Sequence, residues 1–195
     1  MKLVYIHGAS ATSASFNYIR EHIADHCVPI NYSSQNGFEN NLKEMQQVVS
    51  KIKGPVFFIA HSLGGVYALH LTQTIFKRVA GAVTLSTPYG GSREAEIAKI
   101  FLPSNQLMKD IGPTSPAMRQ LVNFPVPRNW TNIVTTQGAS PFISKRNDGV
   151  VTWDSMTALS DRMDLIELDL NHYEVVLSPK TVNIIKSKIE LANSK

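Results

Sequence analysis

The sequence holds a single cysteine, Cys27, among 195 residues. No disulfide can form within the chain, so its fold has to rest on packing, and a reducing compartment suits it. Cys27 itself reads as a small buried apolar residue. No apolar run reaches the roughly 18 uninterrupted residues that a membrane-spanning helix needs. Charge is sparse as well: Asp, Glu, Lys and Arg make up 17% of the chain. The formal net charge is +4, yet the basic residues are scattered and no dense Lys/Arg block with interleaved aromatics appears, so no nucleic-acid partner is expected. Lys180, Lys186 and Lys188 fit the solvated face of a helix. Met1 to Gly8 enters a β-like segment at once, with no charged leader, apolar h-region or small-residue cleavage site. A soluble, cytoplasmic protein is the expectation.

What the chain does have is a hydrophobic content of 43%, enough to bury the core of one domain spanning residues 1–195. Apolar, β-branched runs alternate with helical patterns, the signature of βαβ units around a mainly parallel sheet. Strands are predicted at Leu3–Ile6, Val28–Tyr32, Val56–Ala60, Ala82–Ser86, Asn132–Thr136 and Leu165–Leu168. Phe38, Leu42, Met45, Val49 and Ile52 recur at helical spacing before Gly54-Pro55 stops the pattern; that face should lie on the sheet. Val182, Ile185 and Ile189 repeat the pattern in a closing helix. Between Thr87 and Arg128 six prolines break the rhythm while Ile97, Ile100, Phe101, Leu107, Met108, Met118 and Leu121 keep the stretch apolar. This segment reads as an inserted cap of short helices, or equally as ordinary packing between two strands.

The strongest chemical signal is Ile59-Ala60-His61-Ser62-Leu63-Gly64-Gly65, directly after an apolar strand and directly before the helical pattern Val66–Phe76. A serine on so sharp a strand-to-helix turn has its hydroxyl pushed out above the sheet, a strained position that tolerates only small neighbours. The helix that follows aims its positive end at the serine, favouring negative charge there. The bland alternative is that Ser62 only caps the helix.

These residues resemble the α/β-hydrolase superfamily, in particular its small lipases and esterases, and the resemblance runs from the first strand to the last helix. His7-Gly8-Ala9 is similar to the His-Gly oxyanion loop of lipases, which implies an oxyanion hole made by the backbone N–H groups of Ala9 and Leu63. Ala60-His61-Ser62-Leu63-Gly64 is similar to the nucleophile elbow in its Ala-first variant. Ser86-Thr87-Pro88-Tyr89-Gly90-Gly91-Ser92 is similar to a Thr-Pro-x-x-Gly-Ser segment of many lipases. Asn147-Asp148-Gly149-Val150-Val151, followed by Asn171-His172, resembles the acid and base loops of bacterial lipases. The resemblance implies an α/β-hydrolase fold, with about six mainly parallel strands, helices on both faces and a short cap, and a triad of Ser62, His172 and Asp148. Bacterial lipases of this kind are usually larger, secreted and calcium-stabilised. Glu174 is similarly placed to one of their calcium ligands, but the sequence names no partner carboxylate for it and it reads as a surface or helix-start residue, so no metal is assigned.

Chemical reasoning agrees with that assignment. A serine hydroxyl is a poor nucleophile at neutral pH; it needs a general base within reach, and the base needs an orienting carboxylate. Of the six histidines only His172 follows the last predicted strand, at the sheet edge where open α/β sheets carry their ligands. His7 and His61 flank the serine and read as loop-shaping residues; His22, His26 and His70 fall in helical patterns and read as structural. Asp148 follows the fifth strand in the required chain order, and Asn-Asp-Gly is also a turn signal. Asp154 and Asp169 are the fallback carboxylates.

The expected chemistry is hydrolysis of a carboxylic ester with an apolar acyl group, a small-molecule substrate, without a cofactor. Ser15, Phe16, Tyr89, Phe142 and Ile143 are candidate pocket-lining residues. An acyl thioesterase or an acyltransferase would use the same triad. A non-catalytic binding protein on the same fold is the rival from another class, weakened here because all three triad candidates are present.

Overall fold

The computed structural model describes residues 1–23, 26–92, 106–140 and 143–194, apart from the side chains of Leu107 and Met108. Six strands form one sheet: β1 (Lys2–Ile6), β2 (Cys27–Ile30), β3 (Val56–His61), β4 (Val79–Leu85), β5 (Trp130–Thr135) and β6 (Asp164–Leu168). They lie in the order β2-β1-β3-β4-β5-β6, and every neighbouring pair is parallel. The sheet is therefore the parallel α/β sheet the sequence pattern implies.

Why the central strands read as continuous apolar runs is plain from what covers them. Val4, Ile6, Val56, Phe58 and Ala60 face one way, against helices α2 (Phe38–Lys51) and α3 (Leu63–Ile75). Leu3, Tyr5, Phe57, Ile59, Val83 and Leu85 face the other, against α1 (Asn17–His22) and the closing helix α7 (Pro179–Asn193). A parallel sheet covered on both faces has no solvent side to write in polar residues. All six residues of β3 are buried. The helical periods are found where expected: Phe38, Leu42, Met45 and Val49 are buried on α2, and Val182, Ile185 and Ile189 on α7.

The strand bounds differ from the sequence reading by one to three residues, β5 for example starting at Trp130 and not Asn132, and two of the shifts have a visible cause. β2 stops at Ile30, not Tyr32, because the Tyr32 N–H leaves the ladder and donates to His7 Nε2 at 3.2 Å. β4 begins at Val79, three residues before the expected Ala82, through a register irregularity opposite Val56 and Phe57. His26 is not helical; it precedes β2, where its carbonyl accepts from Leu3 N–H at 3.1 Å.

Of the expected cap, residues 93–105 lie outside the described residues, among them Ile97, Ile100 and Phe101. The described remainder holds α4 (Gln106–Ile111) and α5 (Pro116–Leu121), and α6 (Trp153–Met156) comes between β5 and β6. Ser115 caps α5, its Oγ accepting from Met118 N–H, and Pro116 opens it, a favourable start because proline lacks only an N–H that would be orphaned there. Ala117, Met118 and Leu121 join the same core as α2 and α3, and His70 Nε2 donates to Ala117 O at 2.8 Å. This part of the segment is packed onto the body. No helix among the described residues is long and apolar enough to cross a membrane.

The division of α7 into a buried and a solvated face has a direct test. Ile185→Ala should cost about 2–5 kcal/mol of stability by cavity formation, whereas Lys186→Ala, on an exposed position of the same helix, should stay within about 0.5 kcal/mol. Urea denaturation of the two variants measures the contrast.

Candidate functional site

The loops that leave β1, β3, β4, β5 and β6 meet above the C-terminal edge of the sheet. Ser62 sits between β3 and α3 with φ +52° and ψ −124°, a conformation that costs a non-glycine residue about 1–3 kcal/mol. Its N–H donates to Leu85 O at 2.8 Å and its carbonyl accepts from Gly65 N–H at 3.0 Å, so the strained turn is held from both sides. The turn also brings backbones into near contact. A Cβ on Gly64 would stand 2.1 Å from Ile6 O, and one on Gly65 2.0 Å from Thr87 Oγ1. A Cβ on Gly8 would lie 3.2 Å from Ser62 Cβ, which places the loop after β1 directly against the serine. Leu63 opens α3, where helix N–H groups have no intrahelical partner.

Asp148 and His172 are 1% and 3% exposed. His172 Nδ1 is 2.8 Å from Asp148 Oδ2, and His172 N–H donates to Asp148 O at 3.0 Å. An ionised carboxylate only accepts, so Nδ1 carries the proton and Nε2 of the neutral ring is the open acceptor. Asp148 Oδ1 accepts from the N–H groups of Val150 and Val151 at 3.0 and 2.8 Å, and Oδ2 also accepts from Thr135 Oγ1 at 2.5 Å. Burial pushes the Asp148 carboxyl up, but the bonds from His172, Thr135 and Val151 outweigh it and hold the group below its ordinary value. Ser62 Oγ makes no hydrogen bond to the His172 ring. The two residues are linked through His61, whose Nε2 donates to His172 O at 2.9 Å and whose ring lies 4.8 Å from that of His172.

His61 is held neutral. Burial, and then the neighbouring His172, pushes its imidazole down to about 3. His7 shapes the loop after β1: Nε2 accepts from Tyr32 N–H, so Nδ1 donates to Gly8 O at 2.8 Å, and the ring stacks on Tyr32 at 4.3 Å. Burial lowers its pKa as well.

The fallback carboxylates stand elsewhere. Asp154 is exposed and paired with Lys145, and Asp169 is exposed. Glu174 closes its own turn, Oε2 accepting from Asn171 N–H at 3.1 Å. Among the described residues no three His, Cys, Asp or Glu side chains gather as a metal cluster would require. Phe142 lies outside the described residues. Phe16 and Tyr89 are core residues in place of pocket walls: Phe16 is fully buried edge-on to Tyr5. The Tyr89 hydroxyl accepts from Trp130 Nε1 at 2.8 Å and donates to Thr84 Oγ1 at 3.0 Å, because a buried phenol has to find polar partners. Ser15 is half-buried, its Oγ donating to Thr12 O at 2.9 Å. Ile143 is buried beside an isolated bridge to Ser140. Sequence reasoning missed Thr135 and the part His61 plays in holding the loop of His172.

The sequence profile of the alpha/beta hydrolase family matches residues 3–179. None of the curated proteins compared matches the chain significantly. Among solved structures, the chain is similar to the metagenomic carboxyl esterase MGS0156, with a TM-score of 0.79 and 17% identity over 97% of this chain and 76% of that one. It is similar to the monoacylglycerol lipase of Paleococcus ferrophilus, with a TM-score of 0.67 and 13% identity over 99% and 94%. The Vlm2 thioesterase domain is a further likeness, with a TM-score of 0.59 and 14% identity over 95% and 94%. At these identities the structures share the fold.

The neutral His61 makes the site acid-sensitive in a definite sense. Its folded pKa lies below its unfolded value near 6.5, so its contribution to stability is complete above about pH 6.5 and is lost as pH falls toward about 3. In that window the loss approaches on the order of 1 kcal/mol per pH unit. His61→Gln keeps a donor for His172 O but cannot take up the proton. Its urea midpoint should fall less between pH 7 and pH 5 than that of the wild type; equal slopes would remove His61 from the account.

Proposed function

Since the chain belongs to the alpha/beta hydrolase family, we propose that it is a serine hydrolase that cleaves carboxylic esters of apolar acyl groups. Ser62 is the nucleophile, His172 the general base and Asp148 the acid, with the N–H groups of Ala9 and Leu63 as oxyanion donors. The observation that carries this reading is the buried Asp148–His172 hydrogen bond at the same sheet edge as a serine forced into positive φ.

The chemistry follows from the protonation states. His172 presents an unprotonated Nε2, takes the proton of Ser62 Oγ as that oxygen attacks the acyl carbon, and becomes an imidazolium beside the Asp148 carboxylate. The carbonyl oxygen, now negative, lies against the N–H groups of Ala9 and Leu63 and the positive end of α3. Collapse expels the alcohol, which takes the proton back from Nε2 and leaves an acyl ester on Ser62. Water then repeats the sequence and releases the acid. That Ser62 Oγ is not hydrogen-bonded to the His172 ring is compatible with this, since such bonds often tighten only when substrate binds. The apolar character of the substrate is supported by Tyr173 and Val150, which flank His172 and Asp148 and are 68% and 39% exposed. The esterase and lipase likenesses point the same way.

Hydrolysis of p-nitrophenyl esters from acetate to palmitate tests the proposal. Ser62→Ala and His172→Ala should each lower kcat by about 10³-fold or more, and Asp148→Asn by up to about 10⁴-fold, with the fold intact. A fluorophosphonate should label Ser62 in the wild type. Undiminished turnover in Ser62→Ala would overturn the assignment. A wild type inert on oxygen esters but active on the matching acyl thioester would transfer the same machinery to thioester cleavage.

A further inference from the structure

Behind the Asp148–His172 pair lies a second polar layer that the reaction as described does not use. Ser86 follows β4 with φ +51° and is fully buried; its N–H donates to Ile133 O at 2.8 Å. Its Oγ is 2.7 Å from Thr135 Oγ1, and Thr135, the last residue of β5, is also fully buried. Counting protons fixes the direction of this chain. Thr135 has one hydroxyl proton, and the carboxylate of Asp148 can only accept it. The contact between the two hydroxyls therefore has Ser86 as donor, and the sequence of bonds runs from Ser86 to Thr135 to Asp148 Oδ2.

Oδ2 is the same oxygen that receives His172 Nδ1. With two donors on Oδ1 and two on Oδ2, the carboxylate has every one of its roughly four lone-pair sites occupied. Of these four donors, the hydroxyl of Thr135 is the one that shares an oxygen with the imidazole. We infer that Thr135, polarised by Ser86, is a positioning residue that draws negative charge off Asp148 Oδ2 and so limits how strongly the carboxylate stabilises the His172 imidazolium. The inference rests on the reading of Asp148 and His172 as acid and base given above. It gives the fully buried hydroxyl of Ser86 a part in the site. A hydroxyl chain of this kind is cooperative, each bond strengthening the next.

The groups that face the His172 ring are Asp148 from the loop after β5, His61 from the turn after β3 and Tyr173 beside it. His7 lies beyond His61 and interacts with it electrostatically. Glu174, on the same loop as His172, is engaged by Asn171 N–H. His61 remains neutral down to about pH 3, so Asp148 is the charged neighbour through which Thr135 acts.

The test is the titration of the His172 ring, followed by nuclear magnetic resonance in the free protein and by the acid limb of kcat/KM on an activated ester. Thr135→Val removes the donor at nearly constant volume and should raise both midpoints by about half a pH unit to one pH unit, because Oδ2 then attracts the imidazolium more strongly. kcat on the plateau should fall about three- to tenfold with KM nearly unchanged. Thr135→Ser should restore the wild-type midpoint. Ser86→Ala, which leaves Thr135 in place, should produce a smaller rise and serves if Thr135→Val does not fold. In the Thr135→Val background Ser86→Ala should add nothing, since its effect passes through Thr135. An unmoved or lowered His172 midpoint in Thr135→Val, or an additive effect of Ser86→Ala, overturns the relay. Failure of a fluorophosphonate to label Ser62 would instead strike the hydrolase reading, while the resonance titration would still decide the relay.

Discussion

Among the described residues, a carboxylate that is 1% exposed is the most demanding group. Taken out of water, such a charge costs several kcal/mol unless it is paired and its remaining lone pairs are met. Asp148 meets that demand from three separate parts of the chain: the turn it belongs to supplies Val150 and Val151 N–H, β5 supplies Thr135, and the loop after β6 supplies His172. Each donor has to be in place for the others to be worth making. The same demand ties the surrounding loops together, since Asp148 O holds His172 N–H and Asp148 N–H returns to Val151 O. On the outside of this turn, Glu167 of β6 accepts from both Arg146 and Trp153, so the loop is fastened to the sheet edge as well as to the site.

Strain is concentrated at the same edge. Among the described residues four non-glycine positions have positive φ, and three of them are serines that follow β1, β3 and β4: Ser10, Ser62 and Ser86. At Ser62 the conformation turns the chain sharply from strand to helix; at Ser86 it accompanies a hydroxyl buried against Thr135. Such positions persist only where the surroundings over-determine them. Here the surroundings are close backbone contacts that only glycine permits, Gly64 against Ile6 O being the tightest of those at the elbow. The buried two-sided sheet stabilises the fold, and part of that stability is spent in holding these turns.

This division decides what the sequence could reveal. The strands were legible because both faces of a parallel sheet are buried, and α2 and α7 because one face of each is. Ser62, Asp148 and His172 were legible as local motifs in the right chain order, and the structure brings Asp148 and His172 into contact across 24 residues. What could not be read were contacts without a local pattern. Thr135 and Ser86 meet across 49 residues, and nothing in their neighbouring residues announces it. Phe16 and Tyr89 were misjudged for the opposite reason: a large aromatic near a motif looks like a pocket wall, but each is needed in the core, one beside Tyr5 and the other as the partner of Trp130. The strand ends shifted where a backbone N–H found a side-chain acceptor, as Tyr32 finds His7.

Three histidines surround the serine in sequence or space, and the environment gives them different work. His7 and His61 are buried, and the cost of charging a dry imidazole holds both toward neutrality against the opposing pull of the carbonyls they donate to, Gly8 O for His7 and His172 O for His61. Only His172 has a carboxylate on its Nδ1. A positive charge arriving at this edge therefore has one place to settle, and the neutral His61 packed against it adds no competing proton while its N–H fixes the loop. In the proposed reaction the proton from Ser62 therefore has one destination: burial holds the two flanking imidazoles neutral, and His172 alone carries the Asp148 carboxylate on its Nδ1.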